Sequence, residues 1–382
     1  MRRGMPQGTL FGKLRGVFPP GDRATAAALF LSCLASPQFM TVSDRLRMLP
    51  EWAPQEAVLL AWPHASTDWA PWLAAIERDY VELAVAIAEE ALPLILCHDL
   101  AHQTAIQAQL ADRCLRTPRF VIAPYNDTWC RDYGPVTVAS EAGQCLLDFR
   151  FRGWGDKYEA SLDDDVNRRL GSVWRAPLQH LDYQLEGGSI ETDGRGSLLT
   201  TAHCLLDSNR NSGWSQQQVE QFLLGALGLS RVLWITEGAL LGDDTDSHID
   251  NLVRFCTPDT IAYAACSRTD DVHHAPLQKM RAEVEALRQP DGQPYRLQPI
   301  ELPAPQVDEQ GRRLPGSYVN FLILNGSVLV PVFGCAEDDA AITALQRCFP
   351  GKRIRTVPGG NLIRQFGGPH CATMQLPVGT LR

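Results

Sequence analysis

The chain has 382 residues, and no apolar run in it approaches the roughly 20 that a membrane helix needs. It also lacks an excess of positive charge. Lys and Arg number 35 against 44 Asp and Glu, and the net charge of −9 argues against a nucleic-acid-binding surface. None of its eleven cysteines forms a C-x-x-C pair, and the number is odd. A disulfide framework and a Cys-rich zinc site therefore do not fit, whereas a reducing cytoplasm does. There is no P-loop, no H-E-x-x-H helix and no G-x-S-x-G elbow, and the Gly-rich segments lack dinucleotide spacing. Nor is there a long Ser/Gly linker or a low-complexity tract.

What remains is a chain built to bury a large core. Hydrophobic residues make up 45% and charged residues only 21%, which excludes gross disorder. Charge is uneven: residues 1–47 carry seven cations against two anions, leaving −14 on the rest. An acidic body favours cationic ligands. Residues 1–46 read as an extension or as sequence upstream of a start at Met40 or Met48. Their short apolar stretch, 24–35, has a minority reading as a secretion signal. Residues 47–382 read as one catalytic domain.

Short apolar runs alternate with amphipathic segments along this domain. Strands are expected at 57–62, 93–97, 119–123, 145–149, 197–201, 231–235, 260–264, 327–333 and 353–357. Helices are expected after Asp68 as N-cap, from 98 to about Leu115, over 215–227 with Gly228 as the stop, and over 276–287. The Pro-rich stretch 290–315 reads as a long surface connection. The pattern fits a few modules of roughly 65 residues each.

Four polar segments carry chemistry. The first, Asn126 to Pro135 (NDTWCRDYGP), sets carboxylates beside the indole of Trp129, a receptacle for a flat cation. The second is Glu186-Gly187-Gly188, an acid where the backbone must come close to something. The third, Asp243-Asp244-Thr245-Asp246-Ser247-His248-Ile249-Asp250, packs four acids around one imidazole. Such a cluster needs a cation to offset its repulsion. That cation is either a metal held by Asp243, Asp244, Asp246, His248 and Asp250 or a cationic substrate on which His248 acts as acid/base. If 248–252 is extended, His248 and Asp250 face one side. The fourth is Cys371, after Gly367-Gly368 and before a short strand, an exposed nucleophile by this reading.

In this order, with Leu49-Pro50-Glu51-Trp52, Ser317-Tyr318-Val319-Asn320-Phe321 and His370-Cys371-Ala372-Thr373, these segments resemble the agmatine deiminase family, which includes bacterial-type peptidyl-arginine deiminases. The resemblance spans about residues 47–378. It implies a five-fold pseudo-symmetric α/β-propeller of the guanidine-modifying (pentein) enzymes, with no metal or organic cofactor. It makes Cys371 the nucleophile, His248 the general acid/base, Asp132 and Asp250 the carboxylates that grip a guanidinium, and Glu186 an acid near the catalytic His. Trp129, Asp244 and Asn320 match substrate-pocket positions. The implied reaction is hydrolysis of agmatine to N-carbamoylputrescine and ammonia by a cytoplasmic enzyme, with no nucleic-acid or membrane partner; a homodimer is compatible. Deimination of peptidyl arginine uses the same set and is the alternative. A metal-dependent hydrolase built on 243–250 is the more distant one.

Overall fold

The computed structural model describes residues 46–382 apart from residue 142. The expectations placed on 1–45, including the apolar stretch and a start at Met40, lie outside the described residues. The described residues belong to one compact unit.

Among them, five small sheets follow one another along the chain. Strand β1 (Arg47–Met48) joins the second sheet. The first contains β2 (Gln55–Ala61), β3 (Leu92–Cys97) and β4 (Arg119–Ile122). The second contains β5 (Val136–Ser140), β6 (Gly143–Arg150) and β7 (Leu178–Gln184). The third contains β8 (Ile190–Thr192), β9 (Ser197–Thr201) and β10 (Arg231–Ile235), and the fourth β11 (Val253–Thr257), β12 (Thr260–Ala265) and β13 (Arg296–Glu301). The fifth holds β14 (Leu322–Ile323), β15 (Ser327–Val332) and β16 (Arg353–Pro358). The last strand, β17 (Thr373–Pro377), returns to the first sheet and pairs antiparallel with β2, Thr373 opposite Leu60.

Every sheet repeats one motif: an antiparallel pair, then a crossover to a parallel strand. Helices α1 (Leu73–Ala88) and α2 (Leu100–Leu110) make the crossovers of the first sheet. Helices α3 (Gln216–Leu227), α4 (His274–Ala286) and α5 (Asp338–Cys348) serve the third, fourth and fifth. Parallel strands covered on both faces need continuous apolar runs. Residues 57–61 and 94–97 supply them and are fully buried. The α/β expectation holds, but the modules are unequal in length.

Local signals explain the helix ends. Ser215 and Gln218 form a reciprocal capping box at the start of α3, and Gly228 ends it in the left-handed region at φ 64°. Asp68 does not cap α1. Pro71, tolerated in a first turn where no N–H is needed, sits in a 3₁₀ turn over Ala70–Trp72 that leads into the helix instead. Helix α2 stops at Leu110, short of Leu115, where Asp112 turns left-handed. The Pro-rich stretch contains β13, which the composition hid. Pro299 is tolerated there because β13 is an edge strand and needs hydrogen bonds on one side only.

The repeat also positions the chemistry. Each antiparallel pair is entered through a polar segment. Asp132 lies just before β5, Glu186 to Ser189 before β8, His248 to Asn251 before β11, Ser317 to Asn320 before β14, and Cys371 before β17.

Candidate active site

Cys371 lies two residues ahead of β17, in the wall of a cavity of about 300 Å³. It is only 4% exposed, so the expectation of an exposed thiol is corrected: the thiol is buried and borders the cavity. Asn320 holds the sulfur in place. Its Nδ2 donates to Sγ at 3.1 Å, and its Oδ1 accepts from the backbone N–H of His370 at 3.1 Å. Asn320 thus lies against the nucleophile and is not among the residues lining the cavity. Sγ is 3.3 Å from Oδ2 of Asp250. Burial and the carboxylates of Asp250 and Asp132 push the thiol well above its ordinary pKa.

His248 and Asp250 do not sit on an extended strand. Asp246 and Ser247 both take left-handed φ (63° and 65°), and Ile249–Asn251 is a 3₁₀ turn. The turn still sends both side chains to the site, by a different route from the expected one. His248 Nδ1 is 3.6 Å from Asp132 Oδ1, and its Nε2 is 3.8 Å from Glu186 Oε2. All three side chains are buried. Burial opposes a charge on His248, but Asp132, Cys204 and Glu186 prevail and hold its pKa well above the ordinary value. Glu186 would rise by burial, yet Arg210 and His248 bring it down to about 2. At neutral pH the pair is therefore imidazolium and carboxylate.

Asp132 is placed by two donors. Gly188 N–H reaches Oδ1 at 2.8 Å, and Trp154 Nε1 reaches Oδ2 at 2.9 Å. Burial raises its pKa to about 6 despite His248. Trp154 carries left-handed backbone (φ 57°), rare for a bulky residue, between Gly153 and Gly155. Strain of that kind persists where surrounding structure imposes it, and here it aims an indole N–H at the clamp. Asp250 is lowered despite burial by His370 and His248. His370 Nδ1 lies 2.8 Å from Asp250 Oδ2, and its Nε2 faces Glu51. His248 Nδ1, His248 Nε2 and Asp250 Oδ1 are buried without hydrogen-bond partners. Buried polar atoms are rarely left so, and those of His248 lie beside Asp132 and Glu186.

Gly188 is the hinge of this packing. A Cβ there would lie 2.8 Å from Asp132 Oδ1, 2.8 Å from His248 Nδ1 and 3.0 Å from Asp250 Oδ2. Gly188→Ala should therefore spread the three groups and cut kcat/KM by about 10²-fold, the effect of a small misplacement. Assay of ammonia release beside a circular-dichroism melt checks this. A near-normal melt with lost activity is expected, and normal activity would contradict the crowding.

The cavity wall beyond the thiol is aromatic and carries both charges. Trp129, Trp154 and Tyr158 line it with Asp68, Asp127 and Asp244, and with Arg312 and Arg364, which pair with Asp308 and Glu309. Tyr158 donates to Asp244 Oδ2 at 2.8 Å. Burial raises Asp127 to about 7, helped by Asp68 and Asp244, and raises Asp244 to about 6. The acids 243–250 have separate partners. Asp243 accepts from Thr245 and Ser247, Asp244 from Tyr158, Asp246 from Lys157 and Arg210, and Asp250 from His370. Among the described residues, Asp243, Asp244 and Asp246 enter no cluster of metal-spaced donors.

Several contributors escape a reading by motif. Arg210 donates Nε to both oxygens of Glu186, at 2.8 and 3.1 Å, from 24 residues away. Trp154, His370 and Tyr158 also went unassigned. Only the Gly-Trp-Gly triplet around 154 carried a local sign of unusual backbone.

The profile of the Porphyromonas-type peptidyl-arginine deiminases matches residues 47–377. The agmatine deiminase of Pseudomonas aeruginosa (strain LESB58) is 31% identical over 370 residues, covering 90% of this chain and 99% of that protein. Among solved structures, a C. jejuni agmatine deiminase variant with substrate bound shares 33% identity at TM-score 0.82, covering 88% and 98% of the two chains. A Porphyromonas gingivalis protein provisionally named an arginine deiminase shares 41% at TM-score 0.83, covering 88% and 100%.

Proposed function

Because the chain belongs to the Porphyromonas-type peptidyl-arginine deiminase family, we propose that it hydrolyses agmatine to N-carbamoylputrescine and ammonia. The observation that carries this reading is the cavity that joins a buried thiol, flanked by Asp132 and Asp250, to a further wall of carboxylates, Asp68, Asp127 and Asp244. Agmatine is cationic at both ends. One acidic group suits its guanidinium and the other its amine, since the cavity's Arg312 and Arg364 are paired with Asp308 and Glu309, whereas free arginine would bring a carboxylate toward the second group.

In the proposed mechanism, Asp132 and Asp250 hold the guanidinium N–H groups and fix its central carbon beside Cys371. The bound cation favours the thiolate, which attacks that carbon. His248, as imidazolium, gives its proton to a nitrogen, and ammonia leaves. An S-amidino group remains on Cys371. Neutral His248 then takes a proton from water, the hydroxide adds to the same carbon, and the C–S bond breaks to release the ureido product. Glu186, held ionised by Arg210, sustains the charge on His248. The scheme uses this chain's own groups and water only. Residues 47–382 form the catalytic domain in this reading. The five repeated sheets, each delivering one polar segment, support a five-fold pseudo-symmetric α/β-propeller with the site where those segments meet. All ten described cysteines are free thiols, which supports a cytoplasmic setting. Among the described residues no helix is long and apolar enough to cross a membrane.

The arginine deiminase name of the P. gingivalis relative favours a second reading, action on arginine or its peptides. Ammonia release from agmatine, free arginine and a peptide with internal arginine separates the two. Agmatine should be preferred by at least about tenfold in kcat/KM, as one desolvated charge mismatch costs over 1.4 kcal/mol. Equal rates on all three would overturn the assignment.

Asp132 must be ionised to grip the cation, so its raised pKa sets the sign of the pH dependence. Activity should be present above about 6 and fall as pH drops through that value. Asp132→Asn should raise KM and lower kcat/KM by about 10²-fold. A normal KM in a pH-resolved assay would rule out the clamp role.

A further inference from the structure

Two clusters of metal-spaced donors occur among the described residues, and they differ in one respect. Glu51, Glu191 and His370 are already served by a cation: Arg254 binds both glutamates, and both ring nitrogens of His370 face carboxylates. In the cluster of Glu186, Cys204 and His248 a cation, Arg210, also serves the carboxylate, and the difference lies in the imidazole. Both ring nitrogens of His248 are without hydrogen-bond partners, and the ring is fully buried. Cys204 forms no bond to substrate in the mechanism above, although it helps hold the charge on His248; its Sγ lies 3.7 Å from Glu186 Oε2, which is itself 3.8 Å from His248 Nε2.

These separations are close to the edges of a zinc tetrahedron. Zn–S, Zn–N and Zn–O bonds of ordinary length place sulfur and oxygen ~3.6 Å apart and nitrogen and oxygen ~3.4 Å apart. A thiolate, an imidazole and a carboxylate are also the donor types zinc takes. We infer that Glu186, Cys204 and His248 form a binding site for Zn²⁺, and that its occupancy switches the enzyme off. On binding, the Cys204 S–H bond breaks, its proton passes to solvent, and a Zn–S bond forms. His248 gives up its Nε2 proton to solvent as well and donates that lone pair to the ion, so the ring can no longer serve as the acid. Arg210 donates to both oxygens of Glu186, and the ion must share that carboxylate with it. The nearby positive charge weakens the site, in keeping with an inhibitory ion rather than a resident one. The inhibition rests on His248 as acid/base; the site itself does not, and the two are tested separately.

Zn²⁺ titrated into the enzyme in chelator-free buffer should abolish ammonia release, and EDTA should restore it. Cys204→Ala, read against its own zinc-free rate, should need at least about tenfold more Zn²⁺ for half inhibition, since even an outer-shell partner is worth that much to a metal site. Zn²⁺ could also attack Cys371, so Co²⁺ spectra are read on Cys371→Ser. A thiolate-to-cobalt charge-transfer band should appear there and vanish when Cys204→Ala is added. Cys204→Ser, which keeps the volume, replaces the alanine variant if that variant fails to fold. No band in Cys371→Ser would overturn the site whatever the enzyme's substrate. Equal Zn²⁺ sensitivity of wild type and Cys204→Ala, or no sensitivity in either, would overturn the inhibition.

Discussion

Cys371→Ser should lower ammonia release from agmatine by about 10⁴-fold or more, the scale seen when a covalent nucleophile is removed. The physical reason lies in the surroundings of the sulfur. Two carboxylates and burial already hold its thiol pKa up. A guanidinium settling between those carboxylates can bring a thiol to ionise. It cannot do the same for a serine hydroxyl, whose intrinsic pKa is far higher. Asn320 still has an oxygen to bond, so the pocket should survive and agmatine should still bind. Cys130→Ser is the matched control. Cys130 is fully buried, and its Sγ donates to the carbonyls of Leu59 and Ala372 at 3.3 and 3.2 Å. Burial pushes its pKa up to about 12, so it is a structural thiol. That variant should keep most of its turnover and lose at most about 1 kcal/mol of stability, the worth of a buried hydrogen bond. Equal losses in both variants, measured by steady-state ammonia release, would move the nucleophile elsewhere.

His248→Asn should cost about 10²- to 10⁴-fold in kcat, the range for a positioned acid/base. An amide has no proton to give a departing nitrogen and no basic site for water. Its effect should fall on kcat far more than on KM, because the carboxylates of Asp132 and Asp250 remain. Glu186 should then become a burden rather than a support. Its charge would be left to Arg210 alone, and Glu186→Gln added to His248→Asn should cost little further activity. Such non-additivity is the mark of residues that act as one unit. A kcat within threefold of wild type would remove His248 from the chemistry.

The architecture was readable where one local signal decides an element. Ser215, Gln218 and Gly228 bound their helix by side-chain and backbone geometry alone. The continuous apolar runs at 57–61 and 94–97 could only be buried strands. Reading failed where tertiary position overrides a local rule. Pro299 suggests a loop, and only its place on a sheet edge permits a strand. Asp68 looks like a cap but ends in the cavity wall. For the site, the dense polar segments were visible because a strand entry crowded with Asp, Gly and His has no reason to exist in a plain turn. Their convergence was not visible. Asp250 meets Cys371 across 121 residues, and Arg210 reaches Glu186 from another turn. The extended geometry assumed for 248–252 failed because two consecutive left-handed residues precede it, and Asp246 and Ser247 carry no glycine to announce them.

The most direct test of the account is the structure of Cys371→Ser with agmatine bound. The central guanidinium carbon should lie within about 3.5 Å of the side-chain oxygen at 371, the distance of a near-attack arrangement. Its N–H groups should be held by Asp132 and Asp250, with His248 in reach of a terminal nitrogen. A guanidinium seated at Asp68, Asp127 and Asp244, with the amine toward position 371, would contradict it.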